Sequence, residues 1–244
     1  MLQPLRKIMK SKQALSIKIP VLDVFHNHQA NRSKQPVLAE SVALAAQPKQ
    51  YALDSDSVSK ESKALHLSVY KRACESFTRL SAEVASAIGR NDFQNLAKTK
   101  CDLVAARNSV FLHELFFSNC FCRNSQLSIS SISYARLARD FGDFNDWQRD
   151  FFSRAEEIRA SNGWIVTAYD MFLRRFVNLT VCDDTSDIPI GCWPVIVVDC
   201  FEHAYVRDHN IDVTEHLSKM MSEFNWDVIN ERVVKADALA EGLK

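Results

Sequence analysis

No apolar run in these 244 residues approaches the ~18–20 needed to span a bilayer. No net charge is present either: 30 basic and 30 acidic residues cancel. A global field near zero argues against a dedicated nucleic-acid surface. No C-x-x-C pair occurs. The 7 cysteines are scattered at 74, 101, 120, 122, 182, 192 and 200. An odd set without such a pair reads as mostly reduced thiols of an intracellular compartment rather than as a disulfide framework. Cys120-Phe121-Cys122 is too tight for a zinc knuckle without a second pair. There is no internal repeat. What remains is ordinary for a globular chain, 47% hydrophobic and 25% charged, long enough for one large domain or two small ones.

The amino terminus departs from this evenness. Residues 1–55 read as an extension that holds four of the 6 prolines and no sustained period. Arg6, Lys7, Lys10, Lys12 and Lys18 precede the first acid, Asp23, while Leu2, Leu5, Ile8 and Met9 fall at helical spacing. A basic, acid-free, amphipathic start describes a mitochondrial (matrix) transit segment, or alternatively a plastid one. The competing reading is a solvated basic tail. His26 and His28 read as loop residues.

Residues 56–124 read as an antiparallel helical hairpin. One helix opens near Ser59-Lys60-Glu61-Ser62, keeps an i, i+4 rhythm through Leu65, Val69, Ala73 and Phe77, and ends near Ile88-Gly89. The second runs from Phe93 to about Cys120. Residues 125–244 mix helix and strand: a helix over 141–158, strands over 163–169, 172–181 and 194–199, and two closing helices over 216–224 and 226–239. The fold class is therefore α+β: a hairpin of helices followed by a small three-stranded antiparallel sheet with flanking helices.

The most specific stretch is Asp199-Cys200-Phe201-Glu202-His203-Ala204-Tyr205, directly after the buried-strand pattern Pro194–Val198. A carboxylate at a strand end needs a partner, because an unpaired buried charge is costly. A metal ion is one such partner; a capping Asp beside a packed His is the bland alternative. The whole run resembles the metal-binding signature of the iron/manganese superoxide dismutases, with Val206 replacing a second aromatic. Three further segments resemble the same family in the same order: Asp140-Phe141-Gly142, Ser161-Asn162-Gly163-Trp164 and Asn225–Arg232. The resemblance covers roughly residues 58 to 240.

It implies one iron or manganese ion per chain, held by three histidines and an aspartate. Asp199 and His203 come from the signature. His113 falls in His113-Glu114-Leu115-Phe116-Phe117-Ser118-Asn119, which resembles the family's second-ligand segment, and His66 stands where the first ligand belongs. Imidazole and carboxylate donors suit iron or manganese. Trp164, Phe117 and Phe201 would form an apolar cage. Glu202 would reach across a subunit interface to the partner's ligating histidine, implying a homodimer or a heterodimer with a related chain. Tyr70, Cys74 and Tyr205 are the catalytic candidates beside the metal. The implied substrate is superoxide, converted to oxygen and hydrogen peroxide.

The surroundings of the metal depart from the family. Tyr70 stands where a histidine is usual and Cys74 where a gateway tyrosine is usual. The glutamine of the family is missing both at Ser109 and in Asp183–Asp187. Losses of this kind typically cost ~10–100-fold each. Two readings follow: a dismutase with altered surroundings, or a non-catalytic dismutase-like subunit of a larger mitochondrial assembly, ribosomal or respiratory. Iron and manganese stay undistinguished.

Overall fold

The computed structural model describes residues 43–182, 187–209 and 212–242. The expected transit segment, His26 and His28 lie outside the described residues, as do Asp183–Ser186 of the expected glutamine turn. Among the described residues, seven helices and three strands follow one another: α1 Lys60–Arg90, α2 Leu96–Asn119, α3 Ile132–Phe141, α4 Phe144–Ser161, β1 Trp164–Asp170, β2 Arg175–Val181, β3 Cys192–Asp199, α5 Glu202–His209, α6 Val213–Ser222 and α7 Trp226–Gly242. This is the α+β arrangement expected from the sequence, with its antiparallel sheet in the order β2-β1-β3.

Helix α1 starts where its chemistry dictates. Ser59 is extended, and its side chain accepts from the Ser62 N–H, satisfying one of the amides a helix start leaves without a partner. The helix ends at Asn91, which adopts the left-handed conformation (φ 56°). The buried stripe of its first half is unusual. Ser62, His66, Tyr70 and Cys74 recur every four residues, so the face turned to the core carries polar groups. Helix α2 answers with Leu112, His113, Phe116, Phe117 and Asn119.

The helix expected over 141–158 is α4, which starts three residues later at Phe144, and α3 before it was not expected. Gly142 (φ 104°) breaks the chain, and Asp143 caps α4 by accepting from the Asp146 N–H. Asp140 then ties α3 to the sheet by accepting from the Phe176 N–H at 2.8 Å. Gly163 (φ 140°) starts β1. A Cβ there would sit 2.2 Å from the Val181 carbonyl oxygen, so no other residue fits.

β3 is an edge strand, which is why Pro194 is tolerated beside the register shift at Thr167/Ala168. Its free edge is covered by a side chain rather than a strand. Both polar groups of Val197 turn to Asn119: the N–H donates to Oδ1 at 2.9 Å, and the carbonyl accepts from Nδ2 at 2.9 Å. Arg232 of α7 joins from behind, donating to Asn119 Oδ1, Val195 O and Leu115 O at 2.8–2.9 Å. The hairpin, the sheet and the last helix are thereby locked together beneath the end of β3.

Residues 43–58 run as an extended strap antiparallel to α1. Its amides donate to side chains of that helix: Leu44 to Ser81, Ala46 to Thr78, and Lys49 to the Tyr70 hydroxyl at 3.1 Å. Glu223 accepts from the Asp56 and Ser57 N–H groups at 3.2 and 3.1 Å. Arg123 pairs with both Asp54 and Asp56.

Candidate metal centre

Asp199 ends β3 with no solvent exposure. Its carboxylate is aimed by its own turn: Oδ1 accepts from the Phe201 N–H at 3.0 Å. Oδ2 faces three imidazoles. The Nε2 atoms of His203, His66 and His113 lie 3.2, 3.6 and 3.8 Å from it. Helices α1 and α2 each supply one histidine from their buried faces, and α5 supplies the third. The ligand atoms of His66, Asp199 and His203 all lie within 4.8 Å of one another, whereas His113 falls outside that tightest group. The tautomer of His113 is fixed, because its Nδ1 donates to the Ser109 carbonyl at 2.7 Å and leaves Nε2 a lone pair.

His66 and His113 do not neutralise Asp199 as ion partners. Burial lowers His66 to a pKa of about 4 despite Asp199, and burial lowers His113 as well, so both are neutral imidazoles at pH 7. Burial alone would raise Asp199. The hydrogen bond and charge of His203, helped by His66 and His113, outweigh it and hold the carboxyl at about 2. For His203 burial acts downward, and the hydrogen bond to Asp199 overcomes it. The result is a buried anion hydrogen-bonded to His203 and facing the two neutral imidazoles of His66 and His113. Both nitrogens of His66 and Nε2 of His113 are buried and make no hydrogen bond within the described chain. Polar atoms left this way cost ~1–3 kcal/mol each. A cation among them removes that cost and matches the carboxylate. Donors of imidazole nitrogen and carboxylate oxygen, without thiolate, fit iron or manganese.

Aromatic rings line the site. Trp164 meets His113 edge-on at 4.8 Å. Phe117 lies 5.8 Å from His113 and 6.3 Å from His66, and Phe201 stacks on His203 at 5.7 Å. Glu202 is exposed next to His203, whose side chain is 25% exposed. Tyr70 is buried above His113 at 6.2 Å, but its hydroxyl donates to Glu114 Oε1 at 2.9 Å. Cys74 is buried beside it. Burial raises its thiol pKa, so it is held protonated and weakly reactive. The ring contact of Tyr205 is with His216 at 5.8 Å.

Three participants carry no local signal in the sequence. Tyr51, on the strap, packs against Tyr70 at 5.9 Å and Phe117 at 5.0 Å. Glu114 accepts from Tyr70 and pairs with Lys49. His216, fully buried on α6, reaches the Asp199 carbonyl at 2.8 Å. A histidine on the apolar stripe Val213-His216-Leu217-Met220 is the only hint of the last.

Fold and site together define an α+β protein with a buried histidine/aspartate cluster, able to hold a metal ion, between a helical hairpin and a sheet. Residues 129–232 match the family model of the iron/manganese superoxide dismutases, C-terminal domain. An iron superoxide dismutase of Cupriavidus metallidurans is 26% identical over 127 residues, covering 52% of this chain and 62% of the relative. A manganese superoxide dismutase of Mycolicibacterium smegmatis is 28% identical over 109 residues, covering 45% and 52%. A second manganese enzyme, from Haloferax volcanii, is 27% identical over 130 residues, covering 53% and 63%. The chain thus spans between about half and about three-fifths of the length of the curated relatives it matches. Over its carboxyl-terminal half the chain is similar to the iron/manganese superoxide dismutases.

Proposed function

We propose that this chain is a superoxide dismutase in which His66, His113, Asp199 and His203 hold one iron or manganese ion. The observation that carries the reading is the convergence of three imidazole Nε2 atoms on one buried Asp199 oxygen, two of them without a hydrogen bond. The chemistry such an ion supplies is a one-electron couple, by which two superoxide anions and two protons become oxygen and hydrogen peroxide. Asp199 offsets the charge of the cation. Ser109 holds His113 in the donor tautomer. Trp164, Phe117 and Phe201 keep bulk water from the donors, which strengthens every electrostatic interaction inside.

The chain acts as a dimer, homodimeric or with a related chain, in which exposed Glu202 meets the partner's ligating imidazole. It works in the mitochondrial matrix, and the basic start of residues 1–20 supports that placement. The test is superoxide decay by purified protein, normalised to bound iron and manganese. A fast rate per metal that His113→Ala abolishes supports the proposal; bound metal without a rate overturns it.

One observation favours a second reading, a non-catalytic subunit of a mitochondrial assembly. Tyr70 is committed to Glu114 and Lys49, and Cys74 is a buried thiol, so neither offers a free proton donor to the site. Metal without turnover, together with recovery of the chain only in a large complex, would select it.

A further inference from the structure

The peptide unit joining Asp199 to Cys200 is gripped at both ends. The Cys200 N–H donates to the Gly163 carbonyl at 2.9 Å, and the Asp199 carbonyl faces His216 Nε2 at 2.8 Å. A carbonyl oxygen only accepts, so His216 donates through Nε2 and carries its lone pair on Nδ1. That Nδ1 is buried and makes no hydrogen bond within the described chain. His216 itself has no solvent exposure. An apolar helix face has bought a polar ring, and the only hydrogen bond that ring makes there is to a metal ligand's main chain.

We propose that His216 is a positioning residue of the metal centre. It fixes the plane of the Asp199–Cys200 peptide and through it the direction in which the Asp199 carboxylate points. The inference rests on the reading that Asp199 is a ligand. The reasoning is geometric. Gly163 holds one side of the peptide and His216 the other, so the backbone torsion at Asp199 cannot relax. Oδ1 is taken by the Phe201 N–H, which leaves Oδ2 turned to His66, His113 and His203. Without His216 the peptide is held from one side only, and the aim of Oδ2 loosens. The helix that presents the ring is itself fixed, because Asp212 caps α6 by accepting from the Thr214 and Glu215 N–H groups. A second metal site at the ring pair His209–His216, 5.8 Å apart, is not supported, since the only group of three ligand-type side chains among the described residues is the one around Asp199.

The test compares His216→Gln, which keeps a donor, with His216→Leu, which does not, in the full-length metal-free chain. Cobalt(II) is the probe. Its visible spectrum reports coordination geometry, and chelator competition reports affinity. His216→Leu is expected to weaken cobalt binding ~10–100-fold and to alter the spectrum, with His216→Gln within a few-fold of wild type. Wild-type affinity and spectrum in His216→Leu overturn the proposal. If His216→Leu does not fold, nitrogen-15 NMR of the wild-type ring decides: the Nε2–H tautomer supports the proposal and the Nδ1–H tautomer overturns it. Failure of the wild type to bind cobalt overturns the ligand reading instead. The positioning role is then judged by amide exchange at Cys200 and Phe201, which must quicken in His216→Leu and not in His216→Gln.

Discussion

Asn119→Ala tests the joint beneath the metal centre. The carboxamide of Asn119 serves three buried partners: the Val197 N–H, the Val197 carbonyl and one N–H of Arg232. Alanine serves none. Val197 lies on the free edge of β3, where no strand replaces the lost bonds, and Asn119 has no solvent exposure through which water enters. Stranding a buried donor or acceptor costs ~1–3 kcal/mol, and Arg232 keeps its carbonyl partners, so the two stranded groups of Val197 should cost about 2–6 kcal/mol in total. That is a large share of the ~5–15 kcal/mol that holds a typical domain folded. Urea denaturation followed by tryptophan fluorescence measures it, with an unchanged m-value expected. Because Val197 lies two residues before Asp199, metal loading falls with stability. A cost under ~1 kcal/mol with a cooperative transition would refute the claim that a side chain closes this sheet edge.

Gly163→Ala would press a Cβ against the Val181 carbonyl at a φ that L-residues avoid, and a loss of at least ~3 kcal/mol is expected, read as failure to accumulate soluble protein or as a collapsed melting temperature. Tyr70→Phe removes the acceptor of the Lys49 N–H and the donor to Glu114, and should lower stability by about 1–2 kcal/mol by thermal melt while raising protease cutting in residues 43–51. Asp208 accepts from the Ser59 N–H at the start of α1. Burial raises its pKa, but the bonds from Ser59 and Ser62 outweigh this, and the net shift is downward. A carboxyl held lower in the folded state contributes stability above its unfolded value of 3.8 that is lost as pH falls through the folded value. Asp208→Asn should therefore melt earlier than wild type at pH 7, and the gap should close as pH falls below 3.8 and through the lower folded value.

What could be read in the sequence was local. The run from Asp199 to Tyr205 condenses a strand end, two candidate metal donors and a helix start into seven residues, so no long-range information was needed to find it. Helix α1 was legible for the same reason, through Ser59 and its four-residue rhythm. Helix α3 was missed, and the start of α4 was placed three residues early, at Phe141. Only the backbone shows that Gly142 stands at φ 104° and that Asp143 caps a new helix. The strap 43–58 was hidden because an extended segment that bonds to helix side chains has neither period. Asn119, Arg232 and His216 were invisible as a system: their partners lie between 17 and 117 residues away, and spacing along the chain says nothing about such pairs.

The central claim is that three histidines and Asp199 form one metal site. Elemental mass spectrometry of the purified full-length chain, beside Asp199→Ala and His66→Ala, tests it most directly. The account predicts close to one iron or manganese ion per wild-type chain and almost none in either variant. A wild-type chain that stays metal-free when refolded with either ion, or an Asp199→Ala chain that keeps a full complement, would contradict it.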